Sequence, residues 1–158
     1  MNMTYSTDAV NAEPSAEHLL KASMSGGQFD WKDPLIFDSL LTSEERLIRD
    51  TAREYATDKL MPRILEANRH ETFDIEVMRE MGELGFLGAT IDGFGCAGIG
   101  YVAYGLIARE FERVDTSFRS AMGVQTTLAM TPIYLFGSQA QREKYLPKMA
   151  TAELLGLH

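Results

Sequence analysis

The chain reads as an all-α helical bundle, and three observations predict it. Apolar residues recur at helical spacing through the segments that follow Thr42, period-2 alternation is nowhere sustained, and the connections between periodic segments are short. With 158 residues, of which 45% are hydrophobic and 24% charged, the composition is that of a globular protein large enough for one core.

The elements follow in order. Residues 1–27 are rich in Ala, Ser, Thr and Asn and end in Ser25, Gly26 and Gly27; they lack an apolar period and are expected to form a loose tail. A helical domain is expected over 28–158. Phe29, Trp31, Leu35, Ile36 and Phe37 surround Asp33 and Pro34, a segment able to pack on the body. Thr42 and Glu45 make a capping box that opens the first helix, in which Ile48, Ala52, Tyr55, Ala56 and Leu60 form one apolar stripe. Pro62 is expected to kink or end it near Met61. Asp74 as N-cap, Met78, Met81 and Leu84 as a face and Gly85 as the stop predict a short second helix. The third carries Ala103, Ile107, Phe111 and Val114 on one side, with Glu110 and Arg113 as an i,i+3 pair on another. A fourth, over 116–130, is apolar nearly all round and is expected to be the most buried. Ser138 and Gln141 form a second capping box, opening a helix that Pro147 is expected to interrupt.

The charge balance narrows the function classes. Net charge is −8, and the basic residues are scattered among acids, which argues against nucleic-acid binding. A single cysteine, Cys96, allows neither an intrachain disulfide nor a multi-cysteine metal site, and fits a reducing compartment. The stretch 120–141 carries no charge, but Gly123, Gln125, Pro132, Gly137 and Gln139 break it well short of a membrane span. Asp8, Glu13 and Glu17 at the start resemble neither a secretory leader nor a mitochondrial transit peptide, so a bacterial cytoplasmic origin is expected, with the mitochondrial matrix as the alternative.

Gly93-Phe94-Gly95-Cys96-Ala97-Gly98 is a literal G-x-G-x-x-G ahead of a helix, with Asp115 downstream. A dinucleotide site needs a parallel strand on each side of that helix. Residues 86–91 pass as one strand, but 116–130 do not pass as its partner, so the motif reads as a turn whose glycines permit positive φ. Cys96 has no histidine near it in sequence, and His18, His70 and His158 are too far apart in sequence for ligand spacing, so neither a nucleophile nor a zinc site is expected. His70 reads as a solvated helix-end residue.

Arg119 is the informative residue. It falls in the first turn of the fourth helix, where the macrodipole disfavours a cation. Two readings stay open: pairing with Asp115, which spacing alone favours, or reception of an anionic ligand by the guanidinium with the Ser120 hydroxyl and free helix N–H groups. No carboxylate stands in a visibly apolar setting that would make it a general base, so no catalytic residue is assigned.

Taken together, FDWKDPL at 29–35, TIDGFGCAG at 90–98, IAREFERVD at 107–115, FRSA at 118–121, PIYLFGS at 132–138 and QREKYLPKMA at 141–150 resemble the glutaryl-CoA dehydrogenases of the acyl-CoA dehydrogenase family. The resemblance covers about residues 29–156. It implies an N-terminal helical domain that in family members precedes a β-sheet domain and a second helical bundle, with FAD sheltered between them; this chain is expected to stop before both. The flavin-contacting Gly-Leu-Thr-Glu-Pro type motif is expected just after Leu154, Leu155 and Gly156, where this sequence reads Leu157 and His158.

The resemblance also implies that Arg119 and Ser120 contact the acyl end of the substrate, the arginine facing the free carboxylate of glutaryl-CoA, which reverses the preference for Asp115. It implies α-proton abstraction by a glutamate of the later bundle, β-hydride transfer to flavin and decarboxylation to crotonyl-CoA. A homotetramer, with an electron-transferring flavoprotein as acceptor, is implied as well. One departure stands out: where the family reads Asp-Ser-Gly-Tyr or a close variant, this chain has Asp115, Thr116, Ser117 and Phe118, losing a phenol hydroxyl. The competing expectation is a stand-alone helical interaction module that has lost the chemistry and kept a partner-binding face.

Overall fold

The computed structural model describes Trp31 and residues 33–156, so the expected tail at 1–27, Phe29, His18 and His158 lie outside the described residues. The chain divides into two units, Met1–Thr42 and Ser43–His158. In the first, Asp33 organises a short 3₁₀ turn, Phe37–Leu40, by accepting from the backbone N–H groups of Phe37 and Asp38, each at 2.8 Å. Trp31, Leu35 and Ile36 are exposed.

The second unit is helical, with no strand among the described residues, as the periodicity predicts. Its elements are α1 (Ser43–Tyr55), α2 (Met61–His70), α3 (Glu76–Glu83), α4 (Tyr101–Glu112), α5 (Thr116–Gly123), α6 (Thr131–Phe136) and α7 (Gln139–Ala150). Two π-helical segments, Ala56–Leu60 and Val124–Met130, join α1 to α2 and α5 to α6 without a break.

Of the two outcomes expected at Pro62, a kink or an end near Met61, the π segments exclude the end. A proline inside an α-helix has no N–H to donate, and its ring strikes the carbonyl four residues back. Here Met61 N–H bonds to the Ala56 carbonyl five residues back, and Pro62 then falls at the start of a new α-helical run. The helical path continues to His70 instead of stopping. The same arrangement recurs where Thr131 N–H reaches the Thr126 carbonyl and Pro132 opens α6. Pro147 likewise fails to interrupt its helix, since α7 runs through it to Ala150.

Local signals place the helix ends. Asp74 accepts from Glu76 N–H at 3.0 Å ahead of α3. Gly85, at φ 72°, ends α3 in a Schellman turn, with Phe86 N–H bonding the Met81 carbonyl and Gly85 N–H bonding the Gly82 carbonyl. The Ser138–Gln141 capping box forms in both directions. His70 is exposed at the end of α2, 3.3 Å from Glu66.

α1 packs most extensively on α4, which packs on α5, while α7 closes against α6 and the second π segment. The main core gathers Ala52, Tyr55, Ala56 and Leu60 with Met78, Met81, Phe86, Ile107, Phe111 and Met122. Phe111 is fully buried, with ring centroids 5.8 Å from Tyr55 and 5.6 Å from Phe86. A second cluster joins Ile91 and Met130 to Leu146, Met149 and Ala150 of α7.

Two burial expectations need correction. The buried face of α3 is Val77, Met78 and Met81, and Leu84 is exposed because the chain turns at Gly85. Residues 116–130 bury one face, through Phe118, Met122, Gln125, Thr126 and Met130, and leave Leu128 exposed. α4, with Ala103, Leu106, Ile107, Glu110 and Phe111 buried in twelve residues, is the more enclosed helix because α1 and α5 pack on it from two sides.

Candidate functional site

The corner between α4 and α5 is built by local chemistry. Asp115, with extended backbone, caps α5 by accepting from Ser117 N–H at 2.9 Å. That occupation removes it as the partner of Arg119. Instead Arg119 Nε donates to Glu112 Oε2 at 2.6 Å, and Thr116 Oγ1 donates to Glu112 Oε1 at 2.7 Å. The hydrogen bonds from Arg119 and Thr116 hold the Glu112 carboxyl below the usual carboxylate range. The pairing expected from i,i+4 spacing is thus replaced by one seven residues back, across the helix junction.

Glu112 engages only the Nε edge of the guanidinium. Nη1 and Nη2 carry no bond among the described residues, and Nη1 lies toward Gly123, one turn along, where an added Cβ would be 4.0 Å away. The side chain is 39% exposed, so a second anion has access to the free edge. Ser120 follows, half-buried, on the adjoining face. Beside them, burial pushes the Tyr104 hydroxyl up, against the opposing pull of a Thr126 hydrogen bond and of the Arg119 charge. Thr126 itself is fully buried and accepts from Gly88 N–H at 3.1 Å. What this corner does chemically is hold one arginine fork half-occupied at the start of a helix.

The glycine-rich motif behaves as a turn. Gly93, Phe94, Gly95 and Gly98 all have positive φ, Cys96 N–H closes on the Gly93 carbonyl, and residues 86–91 are turn rather than strand. Burial pushes the Cys96 thiol up to about 11, so it holds almost no thiolate near neutrality.

Two carboxylates held by several donors went unnoticed as such in the sequence, one buried and one half-buried. Glu110 is 1% exposed. Arg53 grips it with Nε and Nη2, both at 3.1 Å, Arg109 Nη2 adds a bond at 2.9 Å, and the expected partner Arg113 stands at 3.3 Å. Burial raises its pKa, but the hydrogen bonds from Arg53 and Arg109 outweigh it, and the net direction is down. Glu80 is the second: burial again opposes, Arg63 at 2.6 Å and the Tyr55 hydroxyl at 2.8 Å prevail, and it stays ionised. Both are ion-pair anchors, not bases.

A bundle with no strand among its described residues, carrying a part-exposed arginine where α4 turns into α5, defines an all-helical domain rather than a doubly wound sheet. The sequence profile of the acyl-CoA dehydrogenase N-terminal domain matches residues 42–153, and the chain belongs to that family. Isovaleryl-CoA dehydrogenase, mitochondrial, of Pongo abelii is 31% identical over 119 residues, covering 73% of this chain and 28% of that one. The crystal structure of glutaryl-CoA dehydrogenase from Mycobacterium smegmatis superposes with a TM-score of 0.75 at 41% identity, covering 78% of this chain and 32% of that one. A second structure of a glutaryl-CoA dehydrogenase from that organism, in complex with FADH2, gives 0.73 at 38% identity, over 75% and 31%. The chain therefore spans under a third of the length of these relatives.

Clefts of about 290, 300 and 330 Å³ lie at the small end of the range for ligand pockets. The glycine-rich turn has no strand behind it to present a phosphate cradle.

Proposed function

We propose that this chain is the N-terminal helical part of a FAD-dependent acyl-CoA dehydrogenase of the glutaryl-CoA type, and that Arg119 with Ser120 receives the free carboxylate at the acyl end of a dicarboxylyl-CoA thioester. The single observation that carries the reading is the half-used guanidinium: Glu112 fixes Nε at 2.6 Å and leaves the Nη edge open. Two nitrogens held in one plane match a carboxylate bidentately, and the positive end of α5 adds to the attraction. Glu112 orients the fork while neutralising part of its charge, so that an arginine is tolerated at a helix start. The likeness to the Mycobacterium smegmatis glutaryl-CoA dehydrogenase supports the same substrate class. In this reading the base belongs to the later helical bundle, and FAD, the homotetramer and the electron-transferring flavoprotein acceptor belong to the full-length enzyme.

The test is Arg119→Ala in an active full-length enzyme, with kcat/KM measured for glutaryl-CoA and for a monocarboxylic acyl-CoA of equal length. Loss of the carboxylate contact should cost glutaryl-CoA about 2 kcal/mol more than the other substrate. Equal losses would reduce Arg119 to the partner of Glu112.

The exposure of Tyr101, Leu128 and Phe136 favours a second reading, a stand-alone interaction module. Concentration-dependent self-association of the 158-residue chain, measured by sedimentation, would support it; a monomer at every concentration would count against it.

A further inference from the structure

Residues 151–156 leave α7 and cross from one core cluster to the other: Met149 and Ala150 belong to the second, whereas Ala152 is part of the first and Leu155 packs against it. At the crossing stands Gln125, within the second π segment and 1% exposed. Its Nε2 donates to the Met149 carbonyl and to the Leu154 carbonyl, both at 2.9 Å, and its Oε1 accepts from Gly156 N–H at 2.8 Å. Both amide hydrogens and the carbonyl are therefore spent on one crossing segment. The close approach is built in, because a Cβ on Gly156 would collide with Ala129. Leu155 and Gly156 in turn form one side of a cleft of about 300 Å³ whose other side is Phe73, Ile75, Met78 and Val124.

We propose that Gln125 is a latch that fastens residues 151–156 as a strap across the helix, so that the strap and the cleft wall it carries depend on one carboxamide. Other bonds in the strap are local to α7, such as Leu154 N–H to the Lys148 carbonyl at 3.0 Å and Ala152 N–H to the Met149 carbonyl at 3.3 Å. They shape the turn but do not tie it to the π segment. A buried carboxamide with three satisfied bonds cannot be replaced by an apolar side chain of equal volume without leaving the Leu154 carbonyl and the Gly156 N–H unpartnered, while the Met149 carbonyl keeps its bond from Ala152 N–H. The strap then has reason to lift. The inference concerns the fold of this chain and holds whichever thioester, or none, is bound.

The experiment is amide hydrogen exchange by NMR on the 158-residue chain, comparing the unsubstituted protein with Gln125→Met and Gln125→Glu. In the unsubstituted protein the Gly156 amide should be protected. Gln125→Met should speed its exchange about tenfold or more and weaken the cross-relaxation of Leu155 methyls with the first cluster, while the amides of Ile107 and Phe111 stay slow. Gln125→Glu keeps an acceptor and loses both donors, so the Gly156 amide should stay more protected than in the methionine variant. A Gly156 amide that exchanges at the free-peptide rate in the unsubstituted chain would overturn the latch, even if both variants failed to fold. So would acceleration of every amide by the same factor in Gln125→Met, which would make Gln125 an ordinary core residue.

Discussion

Two acid–arginine contacts, both on α4, use the same chemistry and differ in burial. Glu110 faces α1, is closed off from solvent and gathers Arg53, Arg109 and Arg113 around one carboxylate. Glu112, two residues on, faces the α5 corner with its side chain 45% exposed and holds Arg119 by one edge. A buried carboxylate has exchanged its water for fixed donors and cannot release them cheaply, whereas an exposed one keeps water as an alternative partner. The first contact therefore belongs to the fold, and the second leaves a guanidinium that a ligand can share.

The largest effect that would break this contrast is on Glu110. Glu110→Ala leaves three half-exposed guanidiniums with no carboxylate between them and should lower stability by about 3 kcal/mol in urea denaturation, at the low end for a broken buried pair because the arginines reach solvent. A loss within error of zero would put Glu110 in the same class as Glu112.

Acid sharpens the same point. Glu110 and Glu80 have folded-state values below the ordinary 4.5, so their contribution is fully present above that pH and is lost as pH falls through the lower folded values. Thermal denaturation from about pH 7 to about pH 3 should show stability falling only below about pH 4.5. The fall should be shallower in Glu110→Gln. An unchanged slope in that variant would remove Glu110 from the account.

A smaller effect is expected at the half-buried acid, Glu80. Tyr55→Phe removes the 2.8 Å hydroxyl bond to Glu80 but leaves Arg63 in place, and should cost about 1 kcal/mol in the same urea assay. The smallest belongs to the exposed pair: Glu112→Gln should leave the urea midpoint unchanged within error, since both side chains remain in contact with water. A clear destabilisation there would make the α4–α5 corner structural and weaken the case for ligand access.

Much of the fold was legible because its signals are local. Ser138 and Gln141 cap each other within three residues, Gly85 stops α3, and the stripe from Ala52 to Leu60 is fixed by helical spacing, while the cap position of α3 falls on Ile75, one residue after the expected Asp74. The profile match over 42–153 bears out the family read from the motifs. Pro147 misled for an equally physical reason. Pro147 forbids one hydrogen bond, but the buried Met149 and Ala150 beyond it hold the helical path, and at Pro62 a π turn absorbs the conflict. Leu84 and the open side of 116–130 misled because periodicity reports which residues are apolar, not which neighbours arrive to cover them.

What the sequence by itself determined, then, is the run of helices, most of their ends, the turn conformation of the glycine-rich motif and the position of Arg119 at a helix start. Tertiary structure alone decided the partners: Glu110 meets Arg53 from 57 residues away, and Gln125 holds carbonyls 24 and 29 residues on. It also chose Glu112 over Asp115 for Arg119. Caps and stripes depend on backbone geometry over a few residues and can be read along the chain, but a side-chain bond across the bundle depends on how the helices cross, which no local spacing records.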